Sequence, residues 1–197
     1  MSHPPLVLAS GSPRRRQLLE MLRIPHQVVV PDIDETPLPA ESPRAYTVRL
    51  ARAKATAVMA GGGLPAGHLV LAADTTVVLD GVMFGKPESP EDAVAMLRRL
   101  QGRTHEVYTA VALAHDGTVT DALDVSEVTF RRLEDATLRA YVATGEPLDK
   151  AGAYAIQGLG AGLVEGIRGD FFGVMGLPLR LVLDLLARAG RPYCFTR

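Results

Sequence analysis

Residues 68–79, HLVLAADTTVVL, are apolar or β-branched with one interruption, the carboxylate of Asp74. Such a run reads as a buried strand, because β-branched side chains suit the pleated surface. An ionised carboxylate within a strand is costly unless it is paired, hydrogen-bonded or coordinated to metal. Asp74 is therefore a candidate for chemistry in a cleft. The alternative is a strand end with the carboxylate turned to water.

Strands and helices alternate around this run. Leu6 to Ala9 reads as a short buried strand, and Ser12 with Pro13 supplies an N-cap and a first-turn proline for a helix through about Leu22. Gln27 to Val30 predicts a second strand, followed by an acidic segment with Asp32, Asp34 and Glu35. Ser42 and Pro43 repeat the start signal for a helix to about Ala60, with Val48, Ala51, Ala55 and Val58 as its buried stripe. Asp80 and Gly81 signal a hairpin turn, and Ser89, Pro90 and Asp92 a capping box whose helix closes at Gly102. His105–Ala114 and Thr118–Leu133 read as a hairpin about Asp116 and Gly117, followed by a helix from about Asp135 to Thr144. The last third holds a glycine-rich run and an amphipathic helix through about Ala189, stopped by Gly190. With no linker or repeat, the expectation is one α/β domain over residues 1–197.

Three arginines at the first strand-to-helix turn, in LASGSPRRRQLL, conflict with the positive end of a helix dipole. A bound phosphate or carboxylate resolves the conflict, since guanidinium forks pair with such groups and the hydroxyls of Ser10 and Ser12 add donors. The alternative is that Arg14, Arg15 and Arg16 point to solvent. Lys54 shares a helix with Arg49 and Arg52. Lys86 lies between Gly85 and Pro87, which fix where its ammonium points. Asp32, Asp34 and Glu35 are candidate oxygen ligands for a hard divalent cation, or else a solvated acidic loop.

Other classes are disfavoured. With 21 basic and 22 acidic residues and few aromatics, the chain has neither a phosphate-tracking stripe nor a stacking platform for nucleic acid. No segment approaches the roughly 20 apolar residues of a membrane helix, and the N-terminal apolar run is too short for a signal peptide. One cysteine, Cys194, excludes an internal disulfide and suits a reducing compartment, so a soluble cytoplasmic protein without a membrane partner is expected. There is no Walker phosphate loop, no G-x-S-x-G elbow and no zinc spacing among His3, His26, His68, His105 and His115. The run from Gly158 to Gly162 fails as a dinucleotide fingerprint, because Leu163 stands at the third glycine position.

Eight separated segments, LASGSPRRRQLL, DIDET, RLARAKA, AADTTVVLDG, FGKP, LQGRTHEVYTAVAL, DKAGAYAIQG and VMGLPL, together resemble the Maf family of septum formation inhibitor-like proteins, in order and over nearly the whole chain. The resemblance implies an elongated mixed β-sheet flanked by helices, with a central cleft, as in the inosine triphosphatase class. It implies a nucleoside triphosphate pyrophosphatase that releases the monophosphate and pyrophosphate and needs a divalent cation, magnesium or manganese. The positions it marks are Ser10, Ser12, Arg14, Arg15, Glu35, Lys54, Asp74, Lys86 and Gln157. Within the family, Arg14, Thr75 and Gln157 match the subgroup acting on dTTP and UTP, including modified pyrimidine nucleotides such as 5-methyl-UTP. The 7-methyl-GTP subgroup has tryptophan, glutamine and glutamate there.

On that basis Asp74 is expected as general base, with Glu35 and Asp74 near the metal. Arg14, Arg15, Lys54 and Lys86 are expected to neutralise the triphosphate, and Arg16 to be exposed. A different split of roles among Asp74, Glu35 and Asp34 stays open. The family name also suggests a nucleotide-binding regulator of septum formation acting through a protein partner. The hairpin and the GDFFGVMG segment offer apolar surface for a homodimer.

Overall fold

The computed structural model describes residues 6–64 and 67–195; His3 lies outside them. All seven strands join one mixed sheet: β1 (Leu6–Ala9), β2 (His26–Val29), β3 (Val70–Leu79), β4 (Val82–Phe84), β5 (Thr104–His115), β6 (Thr118–Phe130) and β7 (Val164–Arg168). The order is β2-β1-β3-β5-β6-β7, with β4 paired to β3. β1 runs parallel to both neighbours, and the remaining pairs are antiparallel. The helices are α1 (Pro13–Met21), α2 (Pro43–Ala60), α3 (Pro90–Leu100), α4 (Asp135–Ala143), α5 (Phe171–Met175) and α6 (Leu179–Arg188). Among the described residues no helix is long and apolar enough to cross a membrane.

Turn and cap chemistry set most of these boundaries. Asp80 and Gly81, and again Asp116 and Gly117, all have positive φ, as the tight β3–β4 and β5–β6 hairpins require. Ser42 accepts from the Ala45 N–H at 3.3 Å and Ser89 from the Asp92 N–H at 3.1 Å, capping α2 and α3. The box on α3 is displaced, because Asp92 takes the N–H of Glu88, one residue before the cap. At α1 the expected cap is not made. Ser12 occupies the position, but its side chain makes no cap hydrogen bond, and the first turn holds no acidic residue. The N-terminal end of α1 thus keeps its electropositive character. β7 was not anticipated: its five residues, VEGIR, carry a glycine and are mostly exposed, which leaves little hydrophobic pattern to read.

Alternation along β3 divides its side chains between two cores. Val70 and Ala72 join Val7, Ala9, Ala110, Ala112 and Ala114 against Ala51, Ala55 and Val58 of α2. So many small residues let the helix lie close to the sheet. Leu71, Ala73, Val77 and Leu79 face the opposite side, packing into the larger core with α1, α3, α4 and α6.

The feature that positions the site is a difference in strand length. β1 pairs with β3 only as far as Ala9 opposite Ala72, whereas β3 continues to Leu79. Beyond Ala72, β3 keeps β5 on one side, with Asp74 opposite Ala110, and has no β1 partner on the other. The gap lies at the carboxyl end of β1, where the chain leaves toward β2 in one direction and returns to β3 in the other. Open α/β sheets bind ligands at such a switch point.

Candidate active site

Asp74 shares the α2 face of β3 with Thr76. It is buried, with 7% of its surface exposed. The stripe of α2 that carries Ala51, Ala55 and Val58 also carries Thr47 and Lys54, both buried. The Thr47 and Thr76 hydroxyls meet at 2.9 Å, and Lys54 Nζ donates to Asp74 Oδ1 at 2.6 Å. Lys54 also pairs with Glu35 Oε1 at 2.7 Å, so two carboxylates from different segments converge on one ammonium. Lys54 stands three residues after Ala51 and four before Val58, which puts it on the buried stripe, although the stripe expected from the apolar pattern, Val48, Ala51, Ala55 and Val58, leaves it out.

The loop bearing Glu35 is pinned from α2. The Tyr46 hydroxyl donates to the Glu35 carbonyl at 2.9 Å, and the Arg49 fork holds Glu41 at 2.6 and 2.7 Å while also donating to the Thr36 carbonyl. That fork keeps the Glu41 carboxyl pKa at about 2. Asp34 is turned onto its own loop, accepting the Thr36 N–H at 2.8 Å, and its pKa lies below the ordinary value because of that residue. Asp32 is exposed. Of the three acidic candidates in the segment, only Glu35 is joined to Asp74, through Lys54.

The three arginines have three different environments. Arg15 ties the first loop to β3 and to the turn after α5: its Nε donates to the Gly176 carbonyl at 2.8 Å, Nη1 to Ser10 Oγ at 3.1 Å and Nη2 to Thr75 Oγ1 at 3.2 Å. Burial pushes its pKa down, while Asp74 across the gap pulls it up. One N–H remains on each terminal nitrogen for an anion. Arg14 is half-buried and makes no hydrogen bond among the described residues. Burial lowers its pKa, against the opposing pull of Asp149, Tyr141, Glu146 and Tyr154. Arg16 is exposed, as expected, and pairs with Glu20 at 3.5 Å.

Hydroxyl protons complete this frame. Ser10 accepts from both Arg15 and the Ser12 N–H, at 3.1 and 3.2 Å, which leaves its own proton to donate to a ligand. Thr109, fully buried on β5, lies 2.8 Å from the Gly173 carbonyl and 3.1 Å from Thr75 Oγ1. With the Thr109 proton on the carbonyl, that of Thr75 bridges the two hydroxyls, while Thr75 accepts from Arg15. The Thr75 hydroxyl is thereby committed to orienting Arg15. Gly176, with φ of +108°, permits this approach: a Cβ there would stand 3.3 Å from Thr75 Oγ1 and 3.6 Å from Arg15 Nε.

Two further candidates stand apart. Lys86 and Gln157 are exposed, and no hydrogen bond or ion pair joins either to the other candidates among the described residues. The loop after β4 is nonetheless fixed, since the Gly152 N–H donates to the Gly85 carbonyl at 3.0 Å. The residues missed from sequence, Thr109, Glu146 and Gly176, act through buried hydroxyls, backbone carbonyls and a loop clamp. The GDFFGVMG segment turns Val174 and Met175 inward and leaves Phe171 exposed, so it offers less open apolar surface than its composition suggests.

Fold and site together define an α/β protein whose open helix N-terminus, serine hydroxyls and cations suit a polyanion beside a carboxylate pair. The Maf-like protein family model matches residues 5–189, and the chain belongs to that family. A protein of Anaeromyxobacter dehalogenans, named dTTP/UTP pyrophosphatase, is 52% identical over 198 residues, covering 98% of both chains. Proteins of the same name in Myxococcus xanthus and Escherichia coli are 53% and 51% identical, covering 95% and 92% of this chain and 93% and 91% of theirs.

Proposed function

We propose that this chain, acting as one domain over residues 1–197, is a cytoplasmic nucleoside triphosphate pyrophosphatase that hydrolyses dTTP and UTP to the monophosphate and pyrophosphate. The observation that carries the reading is the placement of Asp74: buried on β3 beyond the end of β1, paired with Lys54, and beside a frame of unsatisfied anion donors. Relatives of this length and similarity, all named for that activity, support it.

In this reading the triphosphate lies along the N-terminal end of α1, against the Ser10 and Ser12 hydroxyls and the cations Arg14, Arg15, Lys54 and Lys86. Asp74 takes a proton from water as its oxygen bonds to the α-phosphorus. The bond from that phosphorus to the α,β-bridging oxygen breaks, and pyrophosphate leaves with the electron pair. Gln157 presents one acceptor and an NH2 donor group to the N3–H and O4 of uracil or thymine.

Glu35 and Asp74 fit a divalent cation such as magnesium or manganese. Their convergence on one ammonium shows that both reach a common positive charge. No group of three or more His, Cys, Asp or Glu suited to a metal occurs among the described residues. Magnesium is commonly held in this way, by one or two carboxylates with substrate phosphates and water completing the shell. When bound it supplies charge stabilisation to the phosphates and leaving group.

The test is a panel of dTTP, UTP, CTP, dATP, GTP and 7-methyl-GTP with magnesium or manganese, and with EDTA, the products resolved by chromatography. Monophosphate and pyrophosphate from dTTP and UTP, abolished by EDTA, are expected. Folded protein that binds nucleotide without turning it over would overturn the enzymatic reading in favour of the regulatory one.

A further inference from the structure

The loop that carries Gln157 is fastened on both sides of that residue by one carboxylate and one phenol. The hydroxyl of Tyr141, a buried residue of α4, accepts the Ala155 N–H at 3.2 Å and donates to Glu146 Oε1 at 2.9 Å. Glu146 also accepts the Leu159 N–H at 2.9 Å and the Gly160 N–H at 2.8 Å. Burial raises the Glu146 carboxyl pKa, but the Leu159 and Gly160 N–H groups, Tyr141 and Lys150 more than offset it and hold it below the usual range. The loop presses so closely on this pair that side chains are excluded. A Cβ on Gly158, whose φ is +104°, would stand 2.5 Å from Glu146 Oε2, and one on Gly160 would stand 2.6 Å from the Tyr141 hydroxyl.

Gln157 itself is exposed and makes no hydrogen bond among the described residues, so the backbone sets only where its side chain begins and the region its amide can reach. Glu146 also faces Arg14 electrostatically, which links it to a second position that differs between the subgroups. We infer that Glu146 is a positioning residue for base selection, holding residues 155–160 so that the Gln157 amide meets the pyrimidine edge. This rests on the reading of Gln157 as the group that reads the base.

The experiment compares kcat/KM for UTP and CTP, which differ only at the edge in question, in Glu146→Gln, Gln157→Ala and the double variant. In Glu146→Gln an NH2 replaces one acceptor oxygen and faces a donor it cannot bond. The UTP preference is expected to fall about tenfold, the loss falling mainly on KM for UTP, and no further in the double variant than in Gln157→Ala. Tyr141→Phe, which keeps the carboxylate, is expected to lower the preference by a smaller factor and serves if Glu146→Gln does not fold. Should Gln157→Ala leave the preference unchanged, the reading of Gln157 fails and this inference with it. Should Gln157→Ala lower the preference while Glu146→Gln and Tyr141→Phe do not, the inference about Glu146 alone is overturned.

Discussion

The proposed phosphate side and the proposed base side of the site are built in opposite ways. On the proposed phosphate side two groups flank β3, Arg15 bonded to Ser10, Thr75 and the Gly176 carbonyl with Thr109 behind, and Lys54 paired with Asp74 and Glu35, the two groups coupled through the charges of Arg15 and Asp74. On the proposed base side Gln157 is exposed and makes no hydrogen bond or ion pair among the described residues, and Arg14 feels its neighbours through charge. Charge stabilisation in a transition state gains most from groups that need no reorganisation, so a preassembled phosphate side suits chemistry common to every nucleotide. In the proposed reading the base side distinguishes what differs between nucleotides, on a backbone held by Glu146 and Tyr141 around Gln157.

The largest effect is expected on the phosphate side. Asp74→Asn should lower kcat about a thousandfold for every nucleotide, the order typical of a lost general base. Steady-state kinetics with nucleotide binding measured in parallel checks this. Near-normal turnover would remove Asp74 from the chemistry.

Lys54→Met should follow, for a different reason. It leaves Asp74 buried without its cation, so turnover should drop for all nucleotides and stability by about 3 kcal/mol, as when one partner of a buried pair is lost. Denaturant melts beside the kinetics test both. A change confined to one base would break the division between the two sides.

Gln157→Glu should leave stability within about 0.5 kcal/mol, as for an exposed residue, while shifting preference from UTP toward 7-methyl-GTP by ten- to a hundredfold. An unchanged ratio in the nucleotide panel would show that Gln157 does not read the base.

The buried His105 supplies a pH test. His105 is fully buried against Phe130 and Tyr154, accepts or donates one hydrogen bond with the Tyr154 hydroxyl at 2.9 Å, and titrates at about 4 because burial disfavours its cation. The unfolded chain protonates this histidine near 6.5 and the folded one does not, so stability is full above that value. It should fall by about 3 kcal/mol as pH drops from about 6.5 to 4, where the folded form begins to protonate too. Urea midpoints across that range should decline less steeply in His105→Gln.

The smallest effect is expected from Arg16→Ala. Among the described residues, that exposed side chain pairs only with Glu20, and both kinetics and stability should stay within about 0.5 kcal/mol of the parent. Three neighbouring arginines would then have three separable roles.

Most elements were legible because their signals are local. The serine-proline starts, the Asp-Gly turns and the apolar runs place the helices and the long strands within about three residues, the widest miss being β6, expected to Leu133 and ending at Phe130, and Asp74 announces itself as the one charge in an apolar strand. Lys54 was legible in principle from its place on the α2 stripe. The unread parts depend on what distant segments do to one another. Arg15 meets Gly176 across 161 residues, and Thr109 meets Gly173 across 64. Both acceptors are backbone carbonyls, which leave no mark on composition. The clamp by Glu146 rests on backbone N–H groups and was hidden for the same reason. Ser12 shows the converse, a local signal overridden: it has the residue type of a cap but makes no cap bond.

The central claim, that a water activated at Asp74 attacks the α-phosphorus, is tested most directly by hydrolysing dTTP in 18O-enriched water and locating the label by mass spectrometry. The account requires the heavy oxygen in dTMP and none in pyrophosphate. Label in pyrophosphate, or in inorganic phosphate released with dTDP, would put the attack at a different phosphorus and contradict it.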